Sequence, residues 1–103
     1  MIIKSIRRTE HNRSLVAYTS EHVYNAWIQG NKLHFYVLSN DKKCDVLKHF
    51  SARIENGEIR LVIDDVALTL YSHDELINTV KYAFSDDMHD VITILETLFY
   101  EGE

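Results

Sequence analysis

A chain of 103 residues with 46% apolar residues, 26% charged residues and a net charge of −5 has the composition of one globular domain rather than a disordered or fibrous polypeptide. No stretch approaches the roughly 18 apolar residues of a membrane span, and no charged-then-apolar leader is visible, so a soluble, cytoplasmic protein is expected. The single cysteine excludes an internal disulfide.

Residues 1–7 alternate in the manner of a strand, although the successive isoleucines Ile2 and Ile3 leave its buried face open. Arg7, Arg8 and Arg13 with His11 form a short basic cluster, expected in a solvated loop. It lacks interleaved aromatic residues, and with an acidic net charge nucleic acid is not an expected partner. Residues 14–19 read as a strand that pairs onward through Ser20 and Glu21, neither of them a favoured turn former.

Gly30 and Asn31 tolerate positive φ and join residues 22–29 to 32–38 in a two-residue hairpin. That loop length fixes the register and sets Ile28 opposite Leu33, Ala26 opposite Phe35 and Tyr24 opposite Val37. The reverse face then carries Val23, Asn25, Trp27 and Gln29 against Leu38, Tyr36, His34 and Lys32, with Val16 and Tyr18 joining them if the preceding strand pairs. So apolar a second face is either covered by another layer or left as an exposed patch.

Residues 41–51 read as a loop entering a strand, with a short helix over 41–49 as the alternative. Cys44 follows two lysines that would lower a thiol pKa, and His49 is a conceivable base, but nothing nearby supplies an oxyanion site and a structural role is expected. From residue 50 to 71 two turns agree with each other. Asn56 and Gly57 set Ile54 opposite Ile59, Ala52 opposite Leu61 and Phe50 opposite Ile63. Asp64 and Asp65, a weaker turn, set Ile63 against Val66, Leu61 against Leu68 and Ile59 against Leu70. Both deliver the same apolar face across three strands, with Ser51, Arg53, Glu55, Glu58, Arg60 and Thr69 on a solvated reverse face.

The period then changes from two to about 3.6. Ser72 with Glu75 is a capping box, followed by the stripe Leu76, Ile77, Val80, Ala83 and Phe84. Ser85 with Asp86 and Asp87 suits a second N-cap, followed by Met88, Val91, Ile92, Leu95, Leu98 and Phe99, with Gly102 as a stop. One bent helix or two satisfy this pattern. The fold class expected is α+β: an antiparallel meander of six to seven strands packed against one or two C-terminal helices, in a single domain spanning residues 1–103.

Charge is divided by position. Residues 1–60 hold ten Lys and Arg against six acids, whereas residues 61–103 hold Lys81 alone against ten acids. Asp86, Asp90 and Glu101 align with Thr93 and Thr97 on the expected outer face of the last helix, where they would steer a basic partner. The six histidines show no metal-ligand spacing, and no nucleophile or cofactor motif is present, so no catalytic residue, cofactor or metal is assigned. Candidate binding residues are Asn25, Trp27, His34 and Tyr36 on the sheet and Asp86, Asp90 and Glu101 on the helix. Three functions follow from them. The first is a small non-catalytic interaction protein of the immunity, antitoxin or inhibitor kind, binding a basic protein through the acidic helical end or the aromatic face. The second is a small-molecule module or small enzyme at the aromatic face, and the third is a structural homodimer with that face buried.

Overall fold

The structure is a computed structural model and describes residues 1–8, 12–84 and 88–100. Seven strands run in strict sequence order: β1 (Ile2–Arg8), β2 (Asn12–Tyr18), β3 (His22–Gln29), β4 (Lys32–Ser39), β5 (Val46–Glu55), β6 (Glu58–Ile63) and β7 (Val66–Leu70). Every neighbouring pair is antiparallel. Two helices, α1 (His73–Ala83) and α2 (Met88–Tyr100), complete an α+β architecture of the expected class.

The register of the three short hairpins matches the sequence reading pair for pair, from Ile28↔Leu33 to Ile59↔Leu70. Their turns differ in backbone. Asn56 and Gly57 take φ of 50° and 76°, and Asp64 and Asp65 take 51° and 62°, both as a type I′ turn requires. At the first hairpin only Gly30 is left-handed, with φ of 61°, so the loop has the glycine-first pattern of a type II′ turn and Asn31 needs no special freedom. The turn between β2 and β3 is held by Thr19, whose Oγ1 accepts from the backbone N–H groups of Glu21 and His22. A hydroxyl thus supplies what neither Ser20 nor Glu21 offers.

Residues 41–45 form the expected loop and lead into β5, so no helix forms there. Asp41 organises this loop: its Oδ1 accepts from the Ser39 hydroxyl and from the N–H groups of Lys43 and Cys44. These bonds, the Ser39 hydroxyl foremost, favour the ionised form and hold the Asp41 carboxyl below its ordinary pKa. The expectation of a solvated loop carrying Arg7, Arg8 and Arg13 is overturned, because the first two close β1 and the third lies in β2.

One face of the sheet is the core. Leu15, Ala17, Tyr24, Ala26, Leu33, Phe35, Val37, Phe50, Ala52, Ile59, Leu61 and Ile63 are buried there beneath Leu76, Val80 and Phe84 of α1 and its C-cap, and Val91, Ile94, Leu95 and Leu98 of α2. The rings of Phe35 and Phe50, paired across β4 and β5, stack 5.1 Å apart and both meet Phe84. Helix α1 starts as the capping box predicts, with Ser72 Oγ accepting from the Glu75 N–H; the Glu75 carboxylate reaches back to the N–H of Tyr71 rather than to that of Ser72. In α2 the buried stripe is Val91, Ile94, Leu95 and Leu98. The expected stripe held Ile92 in place of Ile94; the spacing i, i+3, i+4, i+7 of the observed set turns the helix so that Ile92 is only half-buried.

Six inter-strand spacings make the sheet about 29 Å wide, while two packed helices cover about 20 Å. The sheet therefore overhangs its cover at both edges, where Ile3 and Ile6 of β1 are each 39% exposed and Val66 and Leu68 of β7 are 53% and 37% exposed. Each helix ends on a cation from the sheet. Arg13 Nη1 donates to the carbonyls of Leu98 and Phe99 at 3.1 and 2.9 Å, and Lys48 Nζ donates to the carbonyl of Ala83 at 2.8 Å while lying over the Phe84 ring. The sequence contains no basic residue after Lys81, so α2 has none of its own to place at its negative end, and a strand supplies it.

Candidate functional site: the open face of the sheet

Side chains alternate across a strand, so residues between the core positions point away from the helices. Both helices lie against the core face, and none of the described elements covers the other. On this open face Ser14, Val16 and Tyr18 of β2 neighbour Trp27, Asn25 and Val23 of β3, which in turn face His34, Tyr36 and Leu38 of β4. All nine are half-buried, shielded by one another rather than by a second layer. The apolar second face read from the sequence is thus left uncovered by the described elements.

Its centre is a row of near-parallel rings. Trp27 and His34, directly paired, have ring centroids 4.9 Å apart at 22°. Trp27 and Tyr36 are diagonal neighbours at 5.4 Å and 6°. The row continues into β5, where His49 is the register partner of Tyr36 and stacks on it at 5.5 Å and 11°. Asn25 sits beside the row as the other partner of Tyr36. The four sheet residues read from the sequence are therefore brought together, and His49 joins them.

Shallow concavities flank this ridge. One, of about 280 Å³, is lined on the β1 side by Arg7, Asn12, Ser14, Trp27 and Gln29. The other, of about 320 Å³, is lined by Lys32, His34, Ser51, Arg53, Arg60 and Val62. Lys32, Arg53 and Arg60 are successive register partners across β4, β5 and β6, which sets three cations side by side. Like charges directly opposite on a sheet destabilise it by a few tenths of a kcal/mol or more per pair, about as much as an opposite pair contributes. Glu55 and Glu58 relieve part of this, standing 3.7 Å from Arg53 and 3.8 Å from Arg60. These exposed contacts are long and single, and contribute little.

The helical candidates are placed elsewhere. Asp90 lies in the first turn of α2 and is half-buried, on the far side of the sheet from the rings. Asp86 and Glu101, like Ser85, Asp87 and Gly102, lie outside the described residues. Thr93 and Thr97, expected on an outer face, are half-buried, with hydroxyls bonded to the carbonyls of His89 and Thr93; among the described side chains of α2, His89 and Glu96 are exposed. Cys44 is exposed in the β4–β5 loop, where its Sγ donates to the carbonyl of Asp41. Among the described residues no group of three or more His, Cys, Asp or Glu is placed to hold a metal ion, and no helix is long and apolar enough to cross a membrane.

Sequence reasoning missed His49 and the cation row. Both depend on how β5 pairs with β4, and those strands are joined by a loop too long to fix a register; the pairing also carries an irregularity between Val37 and Leu38. Compared with protein-family models, curated proteins and solved structures, the chain matches none of them.

Proposed function

We propose that this chain is a small non-catalytic interaction protein whose working surface is the open aromatic face of its sheet. One observation carries the reading: four stacked rings, Trp27 among them, stand on a face that no described element covers. Trp and Tyr concentrate binding energy where they meet a partner, because they bring large apolar area and a polar tip at a small cost in side-chain entropy. The acidic helical end supports binding less well, since Asp90 is its one described member and is half-buried.

The test uses a photo-activatable phenylalanine analogue placed in cells at one of two exposed positions, His49 on the open face or Tyr82, 90% exposed, on α1. A discrete adduct from position 49 and none from position 82 is expected. Equal adducts from both, or none from position 49, would remove the open face as the working surface.

A further inference from the structure

The partner chemistry of this face follows from where the charge lies. The acids that dominate the sequence beyond residue 60 include all those of the two helices, which pack on the core side, whereas Arg7, Lys32, Arg53 and Arg60 stand on the open face with Glu55 and Glu58 as its described acids on β5 and β6. Net charge thus describes neither face. Locally the open face is cationic, and its cations border the ring row on both sides.

We propose that the open face binds single-stranded nucleic acid, with phosphates along Arg7, Lys32, Arg53 and Arg60 and unpaired bases against the row His34, Trp27, Tyr36 and His49. The inference rests on the preceding reading of the open face and adds the class of partner. Three features select this class. First, the charged positions run from β1 to β6, five inter-strand spacings or about 24 Å, the reach of several nucleotides rather than of one small anion. Second, the rings are already parallel to one another, so a base joining the row at the His34 end extends a stack instead of creating one, and the 320 Å³ concavity lies there with three cations and the Ser51 hydroxyl around it. Third, a stacking surface has no use for a duplex, whose bases are already stacked and paired.

Trp27 is the single tryptophan, so its fluorescence reports this surface without labelling. Titration of the full chain with a twelve-nucleotide thymidine oligomer at 50 mM salt should quench Trp27 saturably, with at least tenfold weaker binding of a duplex of equal length. The triple variant Lys32→Gln, Arg53→Gln, Arg60→Gln should retain its circular dichroism and lower the slope of log K against log salt by about 2, at ~0.7 per lost phosphate contact. Absence of quenching up to 100-fold molar excess, equal binding of the duplex, or a slope unchanged in the folded triple variant would overturn the proposal. Its failure is distinct from failure of the parent reading: an adduct from position 49 that resists nuclease and yields to protease keeps the open face as the working surface and removes nucleic acid as its partner. An adduct at twice the chain mass assigns the face to a second copy and also overturns the proposal.

Discussion

The indole of Trp27 lies within 6° of parallel to the phenol of Tyr36, although the two are not register partners; Tyr36 pairs with Asn25 and Trp27 with His34. A diagonal contact of this kind draws the indole along β4 as well as across to it, and links the β3–β4 pair to the β4–β5 pair through Tyr36 and His49. The row therefore spans three strands.

Because the contact is diagonal, its worth separates from that of the direct pair. A double-mutant cycle with Trp27→Ala and Tyr36→Ala is expected to give a coupling energy of about 0.5–1.5 kcal/mol. Tyr36→Ala alone should shift Trp27 emission to longer wavelength as the indole loses its neighbour. Urea unfolding followed by circular dichroism measures the first, and steady-state fluorescence the second; a coupling near zero would mean that the rings are adjacent without interacting.

The cations that close the helices should differ in effect. Arg13→Ala removes a part-buried guanidinium from two carbonyls and is expected to cost about 1.5–3 kcal/mol, the range for hydrogen bonds to charged groups. Lys48→Ala removes an exposed contact and should cost about 0.3–1 kcal/mol. Amide exchange in the last turn of α2 should accelerate in the first variant and not in the second.

Asp64 and Asp65 occupy a left-handed turn without glycine, which costs ordinary residues about 1–2 kcal/mol each, though less for Asp. Replacing Asp64→Asn and Asp65→Gly introduces the residues such a turn favours, and after the entropic cost of glycine a net gain of about 0.5–1 kcal/mol is expected. At the neighbouring turn Gly57→Ala should destabilise, although no atom lies within 4 Å of the added methyl, because φ of 76° strains any side chain. Thermal melts read both changes.

The β4–β5 loop should loosen in acid. Asp41 is held below its ordinary pKa by bonds to its ionised form, so its contribution to stability is present above the carboxyl value of the unfolded chain and is lost as pH falls through the lower, folded value. Asp41→Asn should give at neutral pH the loop that the native chain reaches once Asp41 is protonated. Side-chain carboxyl and Ser39, Lys43 and Cys44 amide shifts followed by NMR between pH 7 and pH 2 check this; an Asp41 midpoint at or above the ordinary value would refute it.

How much of this was legible in the sequence follows from the connections. Where two residues join two strands, as at Asn56 and Gly57, chain geometry leaves one register that buries Phe50, Leu61 and Ile63 together, and local reading reaches the three-dimensional answer. The core face and the cluster of Asn25, Trp27, His34 and Tyr36 were available on those terms. His49, the Lys32 to Arg60 row and the capping of α2 by Arg13 were not, because each joins segments whose relative placement is decided by the whole sheet or by helix packing. The replacement of Ile92 by Ile94 in the core has the same origin: α2 is apolar on more than one side, and only contact with β2 and β3 chooses between them.

The strict order of the strands bears on how the chain is made. Each strand has its partner immediately behind it in the chain, and a hairpin closes in about 1–10 μs, far faster than residues are added. The helices that cover the sheet follow all seven strands in the chain. At about 5–20 residues per second, the stretch from residue 71 to residue 100 takes some two to six seconds to complete. A sheet paired before those helices emerge would turn Phe35, Phe50 and Leu61 to water on one side and its aromatic row on the other, so the helices are what closes the core face.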